Sequence, residues 1–566
     1  MLKFKIIIVE VIIICFIVLS SENYKIYKAF ASRTCPRGCD CIETELKTNC
    51  TRASQLEYVP HTLNPALKKL YLPNNKIGRI DSAFDVYKNL IYLDLTSNLI
   101  TTIVDDNFKY NSQLQAILLA NNTIEILKSR AFVGLDSLLK LDLSENRIDS
   151  IDDFIFKNLH SLQTLDLSYN RIEKLNSNSF FGLKNLLHLN ISNNKIRIFS
   201  TELFAHLPKL INLNSSFNQL ERLEDDWFIA LNDLIDLDLS SSKLEFLSQN
   251  CFNGLIKLTS LSLQNNSLMT IPTDSFFKHN NIQILKIGQN PYPFIPARSF
   301  YNLKNLKSLY ITNASDLMKI HSNALYGLEN LEIFELSNNK KLNQIDRAIF
   351  DSLFSLSSLI LSNNNFENLE INLISRFNKY DLYLDARGNP FNCNCTMEWL
   401  NFHLIRMFNK TISANPDYFL RNNITFPIYN LETLLNNNIS KIIMKQNALD
   451  VRCSSPFALK DKLIIKLHKD KFGCFLLESI IPIVIGGIIG FIIISGVIIL
   501  MIIQCRNQLS GLVKNQFHLD GQRNQFDMFS KPEFVFIYGE NYAKNFNNFE
   551  DFSVRYPLKP TPTTEL

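Results

Sequence analysis

Leucine and isoleucine recur along the chain in the spacing L-x-x-L-x-L-x-x-N, and this motif returns about every 24 residues. Apolar and polar residues alternate in the L-x-L part, which predicts a short strand with one buried face. The regular return of one motif predicts a solenoid of about fourteen coils over residues 67–388. The copies start at Leu67, Leu90, Leu114, Leu138, Leu162, Leu186, Leu210, Leu234, Leu258, Ile282, Leu306, Leu331, Leu356 and, in degenerate form, Asp381.

The copies are expected to stack, because a single copy cannot bury its own leucines. Stacking predicts one parallel sheet on a concave face and one continuous core. The asparagine that closes most copies, as in Asn98 and Asn122, is expected to bond buried backbone groups of neighbouring coils. Ser242 and Ala314 replace it in two copies, where we expect a looser coil, more so at Ala314, which has no polar group.

A phenylalanine stands six residues before most copies, which accounts for much of the total of 42. We interpret these rings as a stack that fills the convex side rather than as a cofactor pocket. Leu325 is the exception, and Cys251 precedes Phe252 at a position that favours a buried free thiol over an intermolecular bridge. The stack comprises Phe84, Phe108, Phe132, Phe156, Phe180, Phe204, Phe228, Phe252, Phe276, Phe300 and Phe350.

Two groups of four cysteines flank the repeats. In an oxidising compartment such groups predict disulfides, and a solenoid needs caps because its core is open at both ends. We therefore predict an N-terminal cap over 32–66 and a C-terminal cap over 389–474 that carries an Asn-rich insertion near 409–448. The cysteines are Cys35, Cys39, Cys41 and Cys50 before the repeats, and Cys393, Cys395, Cys453 and Cys474 after them.

Two long apolar runs predict targeting to a membrane. Lys3 and Lys5 precede a run of fourteen residues, which indicates a signal peptide within 1–31, cleaved after Ser20 or near Ala31. A second run, 479–503, holds 25 residues without a charge and is long enough to span a bilayer. The chain is therefore expected at the plasma membrane as a single-pass type I protein, with a cytoplasmic tail over 504–566.

Composition and motifs argue against several functional classes. The formal net charge of +4 gives no strong field for nucleic acid. The chain contains no G-x-S-x-G, H-E-x-x-H, P-loop or kinase motif, and its nine histidines are scattered. We therefore expect neither an enzyme nor a site for a cofactor or metal.

The outward positions of the predicted strands form a candidate binding face on the concave side. Aspartates recur there in the sequence LDLS, which favours a partner with a basic patch. We interpret them as a binding surface rather than as acid/base pairs, because neighbouring copies lie one strand apart, roughly 4.8 Å. The candidate residues are Tyr71, Lys140, Asp142, Asp166, His188, Asp236, Asp238, Lys286, Tyr310 and Glu335.

Sequons are frequent in the predicted ectodomain. Asn190 and Asn214 fall on adjacent predicted strands of the concave face, so glycans on both would push protein ligands to its edges or to the convex side. Each sequon is a weak signal by itself, but their number predicts several occupied sites. The candidates are Asn121, Asn190, Asn214, Asn265, Asn313, Asn409, Asn423 and Asn438.

The membrane segment and the tail carry three short signals. Gly486 and Gly490 form a G-x-x-x-G motif, which lets two helices approach closely and indicates a homodimer. Cys505 at the inner boundary is a palmitoylation candidate. The chain ends in Thr564-Glu565-Leu566, and the hydroxyl of Thr564 with the terminal Leu566 fits the form that PDZ scaffolds bind.

The repeats and both cysteine groups together resemble extracellular leucine-rich repeat proteins over residues 35–474. This resemblance implies the disulfides Cys35–Cys41, Cys39–Cys50, Cys393–Cys453 and Cys395–Cys474. With one predicted span and a short tail, the whole chain is similar to the Capricious/Tartan adhesion receptors of insects and to the neuronal leucine-rich repeat transmembrane proteins.

The resemblance implies an adhesion or recognition receptor. Its partner would be an extracellular protein or the same protein on another cell. The alternative is a co-receptor that senses a soluble or microbial ligand, or a growth factor, and signals through a partner chain.

Overall fold

The computed structural model describes most of the repeat region and parts of what flanks it. The predicted signal peptide, the insertion from residue 415 to 448, Cys474 and the tail beyond residue 516 lie outside the described residues. The described residues are 35–51, 53, 55–277, 279, 281–370, 373, 382–414, 449–472 and 475–516.

One 16-stranded sheet runs through the repeat region. All neighbouring strands are parallel except the first two, which form an antiparallel pair. The solenoid of about fourteen coils is therefore confirmed, with disulfides at both of its ends. The strands are Asp40–Ile42, Lys47–Asn49, Lys69–Tyr71, Tyr92–Asp94, Ala116–Leu118, Lys140–Asp142, Thr164–Asp166, His188–Asn190, Asn212–Asn214, Asp236–Asp238, Ser260–Ser262, Ile284–Lys286, Ser308–Tyr310, Ile333–Glu335, Ser358–Ile360 and Tyr383–Asp385.

Each of the fourteen strands from Lys69–Tyr71 to Tyr383–Asp385 buries its central side chain. The two flanking side chains lie on the opposite side, and they are exposed or half-buried except at Ser262, Ser308 and Asp385. Leu141 is fully buried between Lys140 and Asp142, and it pairs in register with Leu165 of the next coil. Because the register is constant, the outward side chains of successive strands form two parallel columns. We call these two columns, over the fourteen strands from Lys69–Tyr71 to Tyr383–Asp385, the sheet face.

A second set of short strands lies elsewhere on the coils and forms parallel pairs. The remaining segments are turns and short 3₁₀ helices, so each coil encloses the core with little regular structure outside the main sheet. These strands are Thr102–Ile103, Ile126–Leu127, Ser150–Ile151, Lys174–Leu175, Arg222–Leu223, Phe246–Leu247, Phe294–Ile295 and Lys319–Ile320.

The phenylalanines form a buried stack. Ring centroids of Phe84 and Phe108 lie 5.5 Å apart, those of Phe252 and Phe276 6.4 Å apart, and all eleven rings of the stack are buried. Cys251 is fully buried and forms no disulfide. Burial raises the pKa of its thiol to about 12, which keeps it protonated and unreactive at neutral pH.

The closing asparagines link consecutive coils through buried hydrogen bonds. The Nδ2 of Asn98 donates to the carbonyl oxygens of Leu72 and Leu95, each at 2.9 Å. Its Oδ1 accepts from the backbone N–H of Ile77 at 3.1 Å. Backbone groups of two coils are thus satisfied by one side chain, and the same pattern repeats at Asn122.

We call this series of closing asparagines the Asn ladder. Its two breaks, at Ser242 and Ala314, are compensated differently. At Ser242 the hydroxyl donates a long bond, 3.3 Å, to the carbonyl of Ser215. At Ala314 the hydroxyl of Tyr292, in the preceding coil, donates to the carbonyl of Ile287 at 3.0 Å. Tyr292 is fully buried, so its ring fills space that an asparagine would otherwise share. The coil expected to be loosest is therefore packed by an aromatic side chain.

The N-terminal cap extends the sheet with its antiparallel strand pair. The Cys35–Cys41 and Cys39–Cys50 bridges hold this pair, and both are the pairs that the resemblance implies. The second strand, Lys47–Asn49, then pairs with the first repeat strand. The open end of the core is thereby covered by hydrogen-bonded backbone.

The C-terminal cap is built on helix α1, Glu398–Ala414. The Nδ2 of Asn401 donates to the carbonyls of Ile464 and Leu467, at 2.6 and 3.1 Å, and Cys393 is bonded to Cys453. The strands Phe391–Asn392 and Cys453–Ser455 pair in parallel. Cys395 is also disulfide-bonded, while its implied partner Cys474 lies outside the described residues.

Helix α2, Phe475–Gln516, carries the second apolar run and extends beyond the predicted segment 479–503 at both ends. Among the described residues, Val484–Asn507 is the one helical stretch of sufficient length and hydropathy to cross a membrane. Cβ atoms built at Gly486 and Gly490 would meet no heavy atom within 4 Å, and Cys505 is exposed.

Candidate functional site

The structure places all ten residues of the predicted binding face on the sheet face. Each occupies the first or third position of a strand, with its side chain beside a buried central residue. Asp142 pairs in register with Asp166, and Asp236 with Asn212. Residues 24 positions apart in sequence therefore become direct neighbours on one surface.

Several of the recurring aspartates also stabilise their own turns. Asp142 Oδ1 accepts hydrogen bonds from the backbone N–H and the hydroxyl of Ser144, at 3.1 and 2.6 Å. Asp166 and Ser168 make the same two bonds, at 2.9 and 2.6 Å. Sequence analysis missed this role, although the serine two residues after each aspartate is its signal.

A shallow depression of about 190 Å³ lies near the middle of the sheet face. Asn190 Nδ2 donates to Asp166 Oδ2 at 3.1 Å across this depression. The backbone N–H of Asp236 donates to the Ile211 carbonyl at 3.1 Å, while its carboxylate makes no hydrogen bond or ion pair with any described residue and is available to a ligand. The polar and charged side chains that line the depression are those of Thr164, Asp166, His188, Asn190, Asn212, Asn214 and Asp236.

The chemistry of this depression suits a basic protein segment. Carboxylates accept charge-assisted hydrogen bonds from lysine or arginine, and the amides of Asn212 and Asn214 add neutral donors and acceptors. Within the described part of the chain, no three His, Cys, Asp or Glu side chains are grouped to hold a metal ion.

The sheet face is aromatic toward its N-terminal end. The Tyr71 and Tyr92 ring centroids lie 4.9 Å apart, and Lys47 Nζ lies 5.4 Å from the Tyr71 centroid. Burial, and then the negative charge of Asp94 and the neighbouring Tyr71, raise the pKa of Tyr92. Sequence analysis did not single out Tyr92, whose place is set by its pairing with Lys69 in the neighbouring strand.

The C-terminal half of the sheet face carries mixed charges. Lys286 lies between Ser262 and Tyr310 in register, and its side chain is exposed. Tyr310 pairs in turn with Glu335, whose Oε1 accepts a hydrogen bond from the Ser337 hydroxyl at 2.8 Å.

The sequons occupy two kinds of position. Asn190 and Asn214 are paired directly in the sheet, so both acceptor amides belong to the central depression. Asn121, Asn265 and Asn313 lie at turn positions with φ near +55°, a region that asparagine tolerates. Asn409 falls in α1, while Asn423 and Asn438, like Thr564 and Leu566, lie outside the described residues.

Comparison with known families identifies the repeat. The model described as "Leucine rich repeat" matches residues 65–122, 88–148, 137–196, 168–220, 212–268, 256–317 and 304–366. Together these stretches cover 65–366, more than half of the chain. The chain belongs to the leucine-rich repeat family. For a leucine-rich repeat protein, a sheet of outward side chains is a scaffold for protein interaction, typically without enzymatic activity.

Several solved structures are similar to this chain. A TLR13 complex with the RNA ssRNA13 is 24% identical, with a TM-score of 0.43; the alignment covers 62% of this chain and 65% of that one. Toll in the glycosylated Toll–Spatzle complex of Drosophila is 20% identical, with a TM-score of 0.55. The alignment covers 74% of this chain and 58% of the Toll chain. The leucine-rich repeat domain of APL1 is 22% identical, with a TM-score of 0.46. The alignment covers 61% of this chain and 84% of the APL1 chain. This leucine-rich repeat protein thus spans less than two thirds of the TLR13 and Toll chains.

Proposed function

We propose that this leucine-rich repeat protein is a single-pass cell-surface receptor whose repeats lie outside the cell and bind a protein ligand. Disulfides at both ends of the solenoid support an oxidising compartment, and the apolar stretch Val484–Asn507 supports a membrane anchor. In this proposal the signal peptide within 1–31 is removed and the tail from 504 onward faces the cytoplasm.

The ligand is proposed to bind the sheet face through a basic patch. The observation that carries this proposal is the central depression, where Asp166 and Asp236 lie among amide side chains on an accessible surface. Opposite charges on the partner would steer its approach and determine its orientation. The ligand is either an extracellular protein or a second copy of this protein on another cell.

More specifically, we propose that this receptor mediates cell adhesion, as in the Capricious/Tartan and neuronal leucine-rich repeat transmembrane families. In this reading Gly486 and Gly490 bring two membrane helices together. Thr564 and Leu566 would present the C-terminus to a PDZ scaffold inside the cell. Glycans on the sequons would restrict which part of the sheet face a partner reaches.

A cell-aggregation assay tests the proposal. Non-adhesive cells that express the full-length chain are mixed with untransfected cells that carry a second dye. We expect clusters that contain expressing cells, and we expect Asp236→Lys to reduce the clustered fraction several-fold, because it places a positive charge in the depression. Clusters of expressing cells alone would identify homophilic adhesion, and mixed clusters a partner on the other cell.

The matched control is Asp153→Lys, the same change of charge at an exposed residue outside the sheet face. It should leave clustering unchanged, with both variants displayed at equal surface levels. If Asp236→Lys clusters as well as the unmodified chain, the ligand does not bind the central depression. If the displayed chain forms no clusters at all, adhesion is the wrong function.

The second candidate is a ligand-sensing co-receptor. The fold likeness to Toll in the Toll–Spatzle complex favours it, because the same type of solenoid there occurs in a complex with a protein. This candidate predicts tight binding of a soluble ligand by the displayed chain in the absence of cell clusters. A screen of soluble ligands against displaying cells separates the two functions.

A further inference from the structure

A second and larger cavity lies away from the sheet face. Its volume is about 610 Å³, within the range of roughly 300–1,000 Å³ that small-molecule sites occupy. It is formed by segments of three successive coils, within 301–304, 322–330 and 348–354, and none of its lining residues belongs to a strand. It lies where the copy length changes from 24 to 25 residues and where Leu325 interrupts the phenylalanine stack.

Three exposed aromatic rings line this cavity. The Tyr301 and Tyr326 rings are stacked, with centroids 6.1 Å apart, and their residues are 40% and 49% exposed. Phe354 is 77% exposed. A Cβ at Gly327 would lie 3.2 Å from Tyr301 Cδ2, so the glycine keeps the side of this ring uncovered. Grouped aromatic rings that remain in contact with water are unfavourable in free energy, and such a group of exposed rings is typical of a ligand-binding groove.

Polar side chains share the lining of the cavity with these rings. The lining includes the amide of Asn323, the carboxylate of Glu329 and the hydroxyl of Ser322. Asn330 Nδ2 donates to the Lys304 carbonyl and the Ser352 hydroxyl to the Leu325 carbonyl, at 3.0 and 3.1 Å, so these two residues offer their oxygens as acceptors. Such a set both donates and accepts hydrogen bonds, and it suits a ligand with many hydroxyl groups.

The charges near the cavity balance. Glu329 and Asp351 on the lining are offset by Lys304 and by Arg298, whose guanidinium carbon lies 5.4 Å from the Tyr326 centroid. Lys304 Nζ lies 6.0 Å from the Tyr301 centroid. A site without net charge does not favour a strongly charged ligand.

We propose that this cavity, formed by Tyr301, Tyr326, Phe354 and the amides beside them, binds a neutral oligosaccharide. The apolar C–H faces of sugar rings pack against aromatic rings, whose faces are electron-rich, while the sugar hydroxyls bond the amides and carboxylates between them. The site is separate from the sheet face, so the chain would bind a glycan and a protein ligand on different surfaces.

Saturation-transfer NMR on the full-length protein tests the proposal. The protein is prepared in a detergent without a sugar head group, and the probes are chitotriose, laminaritriose and mannotriose. We expect transfer to the ring C–H protons of at least one probe. Tyr326→Ala and Phe354→Ala should each weaken its apparent affinity at least ten-fold, because each removes a packing surface.

The matched control is Tyr310→Ala, which removes a tyrosine from the sheet face of the same coil. It should keep the affinity of the unmodified protein. Phe354 is largely exposed, so its replacement leaves the core intact. The proposal is wrong if none of the three probes receives saturation, or if both cavity variants bind as the unmodified protein does. Cell clustering measures the sheet face independently, so failure of either proposal is recognised separately.

Discussion

Asn107 buries a side-chain amide that no described residue satisfies. The residue is 1% exposed, and neither its Nδ2 nor its Oδ1 has a hydrogen-bond partner. Equivalent positions in other coils hold Ala131, Leu203 or Ser179, and the Ser179 hydroxyl donates to the Ile151 carbonyl at 2.7 Å. An unpaired buried amide costs about 1–3 kcal/mol, so Asn107 reduces the stability of its coil.

Replacing Asn107 with leucine, which has nearly the same shape, should stabilise the protein. We expect Asn107→Leu to raise the free energy of unfolding by about 1–2 kcal/mol, because it removes two unpaired polar atoms and adds buried apolar surface. The shift of the thermal unfolding midpoint measures this change.

The control for Asn107→Leu is the same substitution at Asn111. There the Nδ2 donates to the carbonyls of Phe84 and Tyr87, at 3.2 and 3.0 Å. Asn111→Leu removes these two buried hydrogen bonds and should lower the midpoint, although each carbonyl keeps one backbone donor. A lower midpoint for Asn107→Leu as well would show that Asn107 stabilises its coil.

At the scale of the coil, stability depends on hydrogen bonds between neighbours. Each ladder asparagine satisfies groups of two consecutive coils, so it contributes to their interface as well as to its own turn. Repeat proteins derive their stability from such nearest-neighbour interfaces. The two breaks in the ladder therefore offer a direct comparison.

Restoring the ladder at Ser242 should stabilise the solenoid. The Ser242 hydroxyl makes only 3.3 Å bonds, to the carbonyls of Ser215 and Ser240, whereas ladder asparagines reach such carbonyls at about 3.0 Å. We expect Ser242→Asn to increase the free energy of unfolding by about 1 kcal/mol, since it adds a net hydrogen bond between coils. Chemical denaturation followed by circular dichroism measures the change.

The same substitution at Ala314 should have the opposite effect. Tyr292 already bonds the Ile287 carbonyl and fills the adjacent space, so Ala314→Asn forces a larger side chain into a packed core. A stabilising effect of Ala314→Asn would show that Tyr292 does not replace the missing asparagine.

At the scale of the molecule, a protein ligand and glycans on the sequons would compete for the same part of the sheet face. Asn190 and Asn214 are neighbours in register, roughly 4.8 Å apart, and both line the depression with Asp236. A glycan on either residue would cover the depression proposed to bind a basic partner.

Removing both sequons should therefore strengthen cell clustering. Ser192→Ala combined with Ser216→Ala abolishes the N-x-S pattern and keeps both asparagines in place. We expect a larger clustered fraction than for the unmodified chain, with glycopeptide mass spectrometry confirming loss of the glycans. Ser267→Ala, which removes the sequon of Asn265 at a turn, should have no effect. An unchanged clustered fraction in the double variant would place the ligand away from the central depression.

Much of this architecture follows from the periodicity of the sequence. The motif spacing predicted the number of coils, the inward leucines, the phenylalanine stack and the Asn ladder, because a constant repeat length places equivalent residues at equivalent positions. Cysteine grouping predicted the caps for a similar reason, since an open core must be covered. The outward positions of the sheet face were also predictable, because strand alternation assigns them.

Tertiary structure alone decided how residues of different coils combine. The Ile287 carbonyl accepts from Asn290 Nδ2 at 2.8 Å and lacks a second asparagine donor because residue 314 is alanine. The hydroxyl of Tyr292 donates to this carbonyl instead, although neither local sequence pattern reveals the other residue. The depression at Asp236 and the aromatic cavity at Tyr326 likewise form from neighbouring coils whose residues lie about 24 positions apart. Periodicity determines the position that each residue occupies. The contacts made there depend on the size and hydrogen bonding of the particular side chains that stacking brings together.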